Sequence, residues 1–353
     1  MGHKIGLLTE GSSKKDYHIV LLVMLVFFVI SLITNILNSI IVDVKESFDL
    51  SLTMTGFLPF TFFIAYGVMS IPAGFLSERF ENKALLSISF LLMTLASLVF
   101  VFVPTHIVFS FTLFVLGSCM AILQVIINPM LRVAGGEEHF AFNSVVAQLV
   151  FGGASFSSPY LYKYLVNVDA NENWATMLRS FVPEHIPWAS LYLVFSVFCF
   201  VLVLIVLLTK YPTYEKVEDE KAGDSISYMT LIKNKYTHLY FLGIFCYVGI
   251  EQGVGNWISQ FLQEYHQIDP QTFGANTVAY FWAMLTVGCI LGLVLLKIFD
   301  SRKLLVGTTV ITIVCLFFAL LGNSSISLFA FPMLGFFISV MWPIIFSLGL
   351  NSI

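Results

Sequence analysis

The run Cys246-Tyr-Val-Gly-Ile-Glu-Gln-Gly-Val-Gly-Asn-Trp-Ile-Ser-Gln260 puts a carboxylate, Glu251, in the middle of an apolar stretch from about Leu239 to Leu262. Gln252, Asn256 and Gln260 stand beside it. An acid near the centre of a membrane-spanning helix costs roughly 2.5 kcal/mol or more, so it ordinarily faces a bundle interior or a wet cavity. A carboxylate there can exchange a proton, help to bind a cation or accept hydrogen bonds from hydroxyl groups. Each amide offers a donor and an acceptor together. Gln252 and Asn256 are four residues apart and share a helix face. Gly249, Gly253 and Gly255 allow close helix approach or a local break in the helix. The pattern points to a polar path through a membrane. The plainer alternative is a helix–helix hydrogen bond that lines nothing.

Composition sets the frame. The chain has 353 residues, of which 58% are hydrophobic and 11% charged, and its mean hydropathy is +0.91. Soluble domains carry about 25% charged residues, so a water-soluble fold could not cover this much apolar surface. The net charge of −4 and the lack of a basic patch argue against nucleic acid as a partner. The five cysteines, Cys119, Cys199, Cys246, Cys289 and Cys315, all sit in apolar runs without CxxC spacing. They read as small buried hydrophobes, with neither a metal site nor a disulfide framework. No nucleophile–base pair is apparent either, so an enzyme is not expected, and no cofactor is implied.

Ten apolar segments are long enough to cross about 30 Å of hydrocarbon. They run roughly over 18–42, 54–76, 84–103, 107–131, 141–162, 188–209, 238–262, 275–297, 304–322 and 327–349. Basic residues orient them. With the N-terminus cytoplasmic, the inner side holds Lys4, Lys14, Lys15, Arg79, Lys83, Arg132, Lys210, Lys216, Lys221, Lys233, Lys235, Lys297, Arg302 and Lys303. The outer side holds Lys45, Lys163 and Arg179. The expectation is a multi-pass protein of the plasma membrane, of bacterial inner-membrane type, with both ends of the chain cytoplasmic. The polar stretch 210–237 then divides residues 1–209, six helices, from residues 238–353, four helices. The outer loop 163–187 has room for a short interfacial helix or for no regular element.

A shift of 218 positions lays the first half on the second. Arg79 falls on Lys297, Gly117 on Gly335 and Asn38 on Asn256. A parallel repeat around a central cytoplasmic loop is one organisation used by membrane transporters.

Five stretches sharpen the reading. They are Asn35-Ile-Leu-Asn38, Ala65-Tyr-Gly67 with Ile71-Pro-Ala-Gly74, Leu123-Gln-Val-Ile-Ile-Asn-Pro129, Phe245-Cys-Tyr-Val-Gly249, and Met341-Trp-Pro-Ile-Ile-Phe-Ser-Leu-Gly349. Together they resemble the major facilitator superfamily, and within it the fucose permease and glucose/galactose transporters. The resemblance implies an all-α integral membrane fold of two six-helix halves. On that pattern the second half is expected to be truncated in the sequence given, with about ten transmembrane helices present. It also implies a central site for a neutral monosaccharide of the fucose, glucose or galactose type, moved by alternating access. Proton-coupled members of the family carry carboxylates in helices 1 and 4. This chain has Ser39 and Gln124 at those places, neither of which cycles a proton at physiological pH.

On that reading, Asn35, Asn38, Gln124, Asn128, Gln148, Gln252 and Asn256 are expected to bind the sugar. Trp282 and Trp342 are expected to offer it apolar faces, with Tyr66, Tyr247 and Trp257 as further aromatic candidates. Glu251, the one remaining acid at mid-membrane depth, becomes the candidate for coupling to H⁺ or Na⁺. Gly74, Glu78, Arg79 and Lys83 resemble the family's cytoplasmic gate. There a charge-pair latch and an ordinary basic turn both fit. Two other functions stay open at this point: a non-transporting sugar sensor on the same fold, and an exporter of amphipathic compounds, whose cavity would be mainly apolar.

Overall fold

The structure, a computed structural model, describes residues 16–136, 140–166, 173–209 and 233–350. Lys4, Lys14, Lys15, Lys210, Lys216 and Lys221 lie outside the described residues, as does most of the expected loop 210–237. Among the described residues the chain is helical throughout. The first group is α1 (Tyr17–Ser47), α2 (Leu52–Arg79), α3 (Asn82–Phe102), α4 (His106–Gly135), α5 (Phe140–Val166), the short α6 (Asn173–Arg179) and α7 (Ser190–Leu208). The second is α8 (Lys235–His266), α9 (Ala275–Ile298), α10 (Ser301–Leu321), α11 (Ser324–Ile338) and α12 (Met341–Leu350). Six of these helices start at a side-chain cap that satisfies free backbone N–H groups: Asp16, Ser51, Thr105, Asn234, Asp300 and Asn323 cap α1, α2, α4, α8, α10 and α11.

Among the described residues, eight stretches, α1 to α4, α7, α9, α10 and the α11–α12 pair, are long and apolar enough to cross a membrane by length and composition. The other long helices, α5 with 27 residues and α8 with 32, reach about 40 Å or more at 1.5 Å per residue. They are also more polar, and α8 holds Glu251 and its amides. The expected loop 163–187 contains a helix, α6. The expected continuous tenth segment is broken at Ser339–Val340 into α11 and α12. The reason lies four residues on. Pro343 has no N–H to donate to the Ser339 carbonyl, and the freed oxygen takes the Cys289 thiol of α9 instead, at 3.4 Å.

Two clusters of buried apolar side chains form, one almost wholly from α1–α7 and the other from α8–α12. Glycines set the closest helix pairs. A Cβ at Gly117 of α4 would collide with the Phe62 carbonyl of α2, and a Cβ at Gly335 of α11 would collide with the Phe281 carbonyl of α9. These are the two glycines related by the 218-residue shift, and each lets a helix ride on the backbone of its neighbour. The two groups meet along α5 with α9 and α1 with α8. At the first seam, a Cβ at Gly152 would run into the Thr286 side chain.

Candidate functional site

The inner face of α1 carries Ser31, Asn35, Asn38 and Ser39, all almost fully buried. Opposite it, α8 presents Asn256, Ser259 and Gln260, also buried, and α9 presents Trp282. Asn38 and Trp282 approach each other at Gly255. A Cβ there would lie 3.3 Å from Asn38 Nδ2, 3.4 Å from Trp282 Cζ2 and 3.6 Å from Phe281 Cε1. Glycine there lets an amide of α1 and an indole of α9 approach the α8 backbone together with little crowding.

Many of these polar atoms have no partner. Asn38 makes no hydrogen bond with either side-chain polar atom, and Ser39 Oγ, Gln252 Oε1, Asn256 Oδ1, Ser259 Oγ, Gln260 Oε1 and Trp282 Nε1 are likewise unsatisfied. A buried polar group without a hydrogen bond costs about 1–3 kcal/mol in proteins, and native structures hold few of them. Such a group spread over three helices is a set of donors and acceptors left without protein partners. Asn256 is held in place through its Nδ2, which donates to the Gln252 carbonyl at 2.7 Å. Its Oδ1 is left without a partner.

The other expected residues divide. Asn35 belongs partly to the scaffold: its Nδ2 donates to the Ser31 carbonyl at 3.0 Å and to Ser155 Oγ of α5 at 2.9 Å. Glu251 is half-buried on α8, one turn after the buried Tyr247. Gln124 is half-buried on α4, and Asn128 is exposed with its Nδ2 on the Gln124 carbonyl. Gln148 and Trp342 are exposed, so the structure does not bring them into the buried cluster. At the α2–α3 turn, Lys83 Nζ donates to the carbonyls of Leu207 at 2.7 Å and Thr209 at 3.1 Å, closing the end of α7. Glu78 and Arg79 are exposed there, and Gly74 faces open space.

A second polar group escaped the sequence reading. At the α1–α2 end of the bundle, Asp43 is 8% exposed. Its Oδ2 accepts from Tyr162 of α5 at 2.6 Å and its Oδ1 accepts from Gln271 at 3.2 Å. Nearby, Gln263 Nε2 donates to Glu46 at 2.9 Å and Lys163 Nζ to Asn276 at 3.0 Å. The signal in the sequence was an acid just past the expected end of segment one. Its partners lie 119 and 228 residues away.

Two groups of long apolar helices around a polar centre define a multi-pass helical membrane protein. The family model for the Major Facilitator Superfamily matches residues 23–353, and the chain belongs to that family. It is accordingly a membrane transporter and not an enzyme. The chain is 30% identical to a glucose/galactose transporter of Brucella abortus biovar 1 (strain 9-941), over 98% of this chain and 83% of that one. It is 24% identical to the L-fucose-proton symporter of Escherichia coli (strain K12), over 98% and 82%. Among solved structures it resembles the transporter FucP in the outward conformation, with TM-score 0.66, 21% identity and coverage of 94% and 84%. It also resembles a bacterial homologue of the human lysosomal transporter Spinster, inward-facing and unoccupied, with TM-score 0.77, 14% identity and coverage of 96% and 75%.

Proposed function

We propose that this transporter carries a neutral hexose or 6-deoxyhexose, bound between α1, α8 and α9. The observation that carries the reading is the cluster of buried, unsatisfied groups on Asn38, Asn256, Gln252 and Trp282. A sugar presents several hydroxyls, each both donor and acceptor, together with apolar C–H faces. Amides match the hydroxyls in either direction, and an indole offers a face for the C–H surface and an N–H for one hydroxyl. An amphipathic cargo would favour an apolar lining, which these residues do not supply. The names of the similar Brucella and Escherichia proteins point to the same substrate class.

The residues 1–209 and 238–353 act as the two moving halves in this reading, with the Lys- and Arg-rich ends cytoplasmic in a bacterial inner membrane. Glu251 lies one residue before Gln252 on the same helix and is the candidate link between sugar and an H⁺ or Na⁺ gradient. Gly74, Glu78, Arg79 and Lys83 belong to the cytoplasmic gate region, where Lys83 holds the α2–α3 turn against the end of α7. Equilibrium titration of purified protein with D-glucose, D-galactose and L-fucose, followed by intrinsic tryptophan fluorescence, tests the substrate class. At least one sugar should give a saturable change that is lost in Trp282→Phe. No saturable response to any monosaccharide, with the protein monodisperse, would overturn the sugar assignment.

A further inference from the structure

Three side-chain hydrogen bonds that join the two helix groups, Asp43–Gln271, Glu46–Gln263 and Lys163–Asn276, lie together at the α1–α2 end. Asp43 differs from the other two pairs because it is buried and bonded on both sides. The Tyr162 hydroxyl holds it from within its own group. The Gln271 amide reaches it from the turn between α8 and α9. The α1 end that carries Asp43 is firmly seated. Trp188 Nε1 donates to Ser47 Oγ at 3.0 Å, and Phe48 packs edge-on against the same indole at 5.9 Å between ring centroids. Tyr162 is itself fully buried. Separation of the two groups at this end therefore breaks the Gln271 bond and leaves the Tyr162 bond in place.

We infer that Asp43 and Gln271 form a latch that holds the transporter closed at its α1–α2 end and so sets the balance between its two access states. The inference rests on the transporter reading and adds two positioning residues to it, neither of which touches the proposed sugar site. Chemically, both Asp43 oxygens act as acceptors, and both facing groups are donors. The other carboxylates that act on Asp43 are Glu46 and Asp269. A further negative charge placed on the facing residue would therefore meet repulsion and no counter-ion among these groups. An isolated structural bond would tolerate such a change with loss of stability alone. A latch must respond with a change in access.

The test uses nitroxide labels at Met54→Cys on α2 and Tyr265→Cys on α8, exposed positions in opposite groups at this end. The five native cysteines are replaced, and distances are read by pulsed electron resonance in reconstituted protein. Gln271→Glu sets two carboxylates against each other, and like charges in contact cost several kcal/mol. The ratio of short to long distances should fall by at least about fivefold. Asp43→Asn combined with Gln271→Glu restores a donor–acceptor pair and should return the short distance. Gln271→Ala, which only removes the donor, should shift the ratio the same way by less, and it serves if the charged variant does not fold. Sugar binding by fluorescence in the same variants separates failure of the latch from failure of the sugar reading. A distance distribution unmoved by Gln271→Glu, or a double variant no closer to the parent than the single, would overturn the latch.

Discussion

Asn38 and Asn35 lie one turn apart on α1 and are equally buried, yet replacing each with alanine should have opposite consequences. Asn38 makes no side-chain hydrogen bond. Its removal takes away a buried unsatisfied amide, a relief of about 1–3 kcal/mol, and leaves a small cavity that costs a comparable amount. Thermal stability should therefore change little. Sugar affinity should fall, because a hydroxyl loses its partner in a closed site, by about 1–3 kcal/mol. That corresponds to roughly 5- to 150-fold in the dissociation constant. Asn35 instead bonds the Ser31 carbonyl and Ser155 of α5. Its alanine variant leaves Ser155 short of a donor and loosens the α1–α5 contact, lowering stability by about 1–2 kcal/mol, with a smaller effect on affinity. The assays are a fluorescence-monitored melt in detergent and sugar titration on the same preparations. If Asn38→Ala melts as low as Asn35→Ala while binding sugar like the parent, the unsatisfied amide is not a sugar ligand.

Further outcomes follow from the same structure. Glu251→Gln should abolish sugar accumulation driven by an imposed pH or Na⁺ gradient while sparing exchange of sugar for sugar. Accumulation that persists in the variant would make the acid structural, and a parent that ignores both gradients would be a uniporter. Gly117→Ala should lower the melting temperature, since its Cβ would strike the Phe62 carbonyl and overpacking costs about 1–3 kcal/mol. Gly74→Ala, which faces open space, should leave it unchanged, and equal melts for the two would refute the packing argument. A cysteine at Glu220 should react with an impermeant maleimide only after cells are opened, and labelling in sealed cells would reverse the topology.

Much of this arrangement is written locally in the chain. Apolar length and the caps fix the helices, and the 218-residue shift pairs Gly117 with Gly335, which do the same packing work. The same shift pairs Asn38 with Asn256, both buried and both carrying an unsatisfied Oδ1. What the sequence hides is which face of a helix turns inward. Gln148 and Asn128 are as polar as Asn38, yet they are exposed while Asn38 is buried. Periodicity is weak in a membrane helix because lipid and protein interior are both apolar. Asp43 was hidden for a different reason. An acid at a segment end reads as loop, and only contacts from distant parts of the chain show that α1 continues to Ser47 with the carboxylate buried. The break before α12 needed the partner too, because Pro343 frees a carbonyl that Cys289 then occupies.

Counterflow in proteoliposomes tests the central claim most directly. Vesicles are loaded with unlabelled hexose and diluted into trace labelled sugar, and uptake is followed for the parent, Asn38→Ala and Asn256→Ala. The account predicts transient overshoot for the parent with at least one of glucose, galactose or fucose. In each alanine variant the sugar concentration for half-maximal counterflow should rise by roughly fivefold or more. No overshoot with any of the three sugars, or variants indistinguishable from the parent, would contradict it.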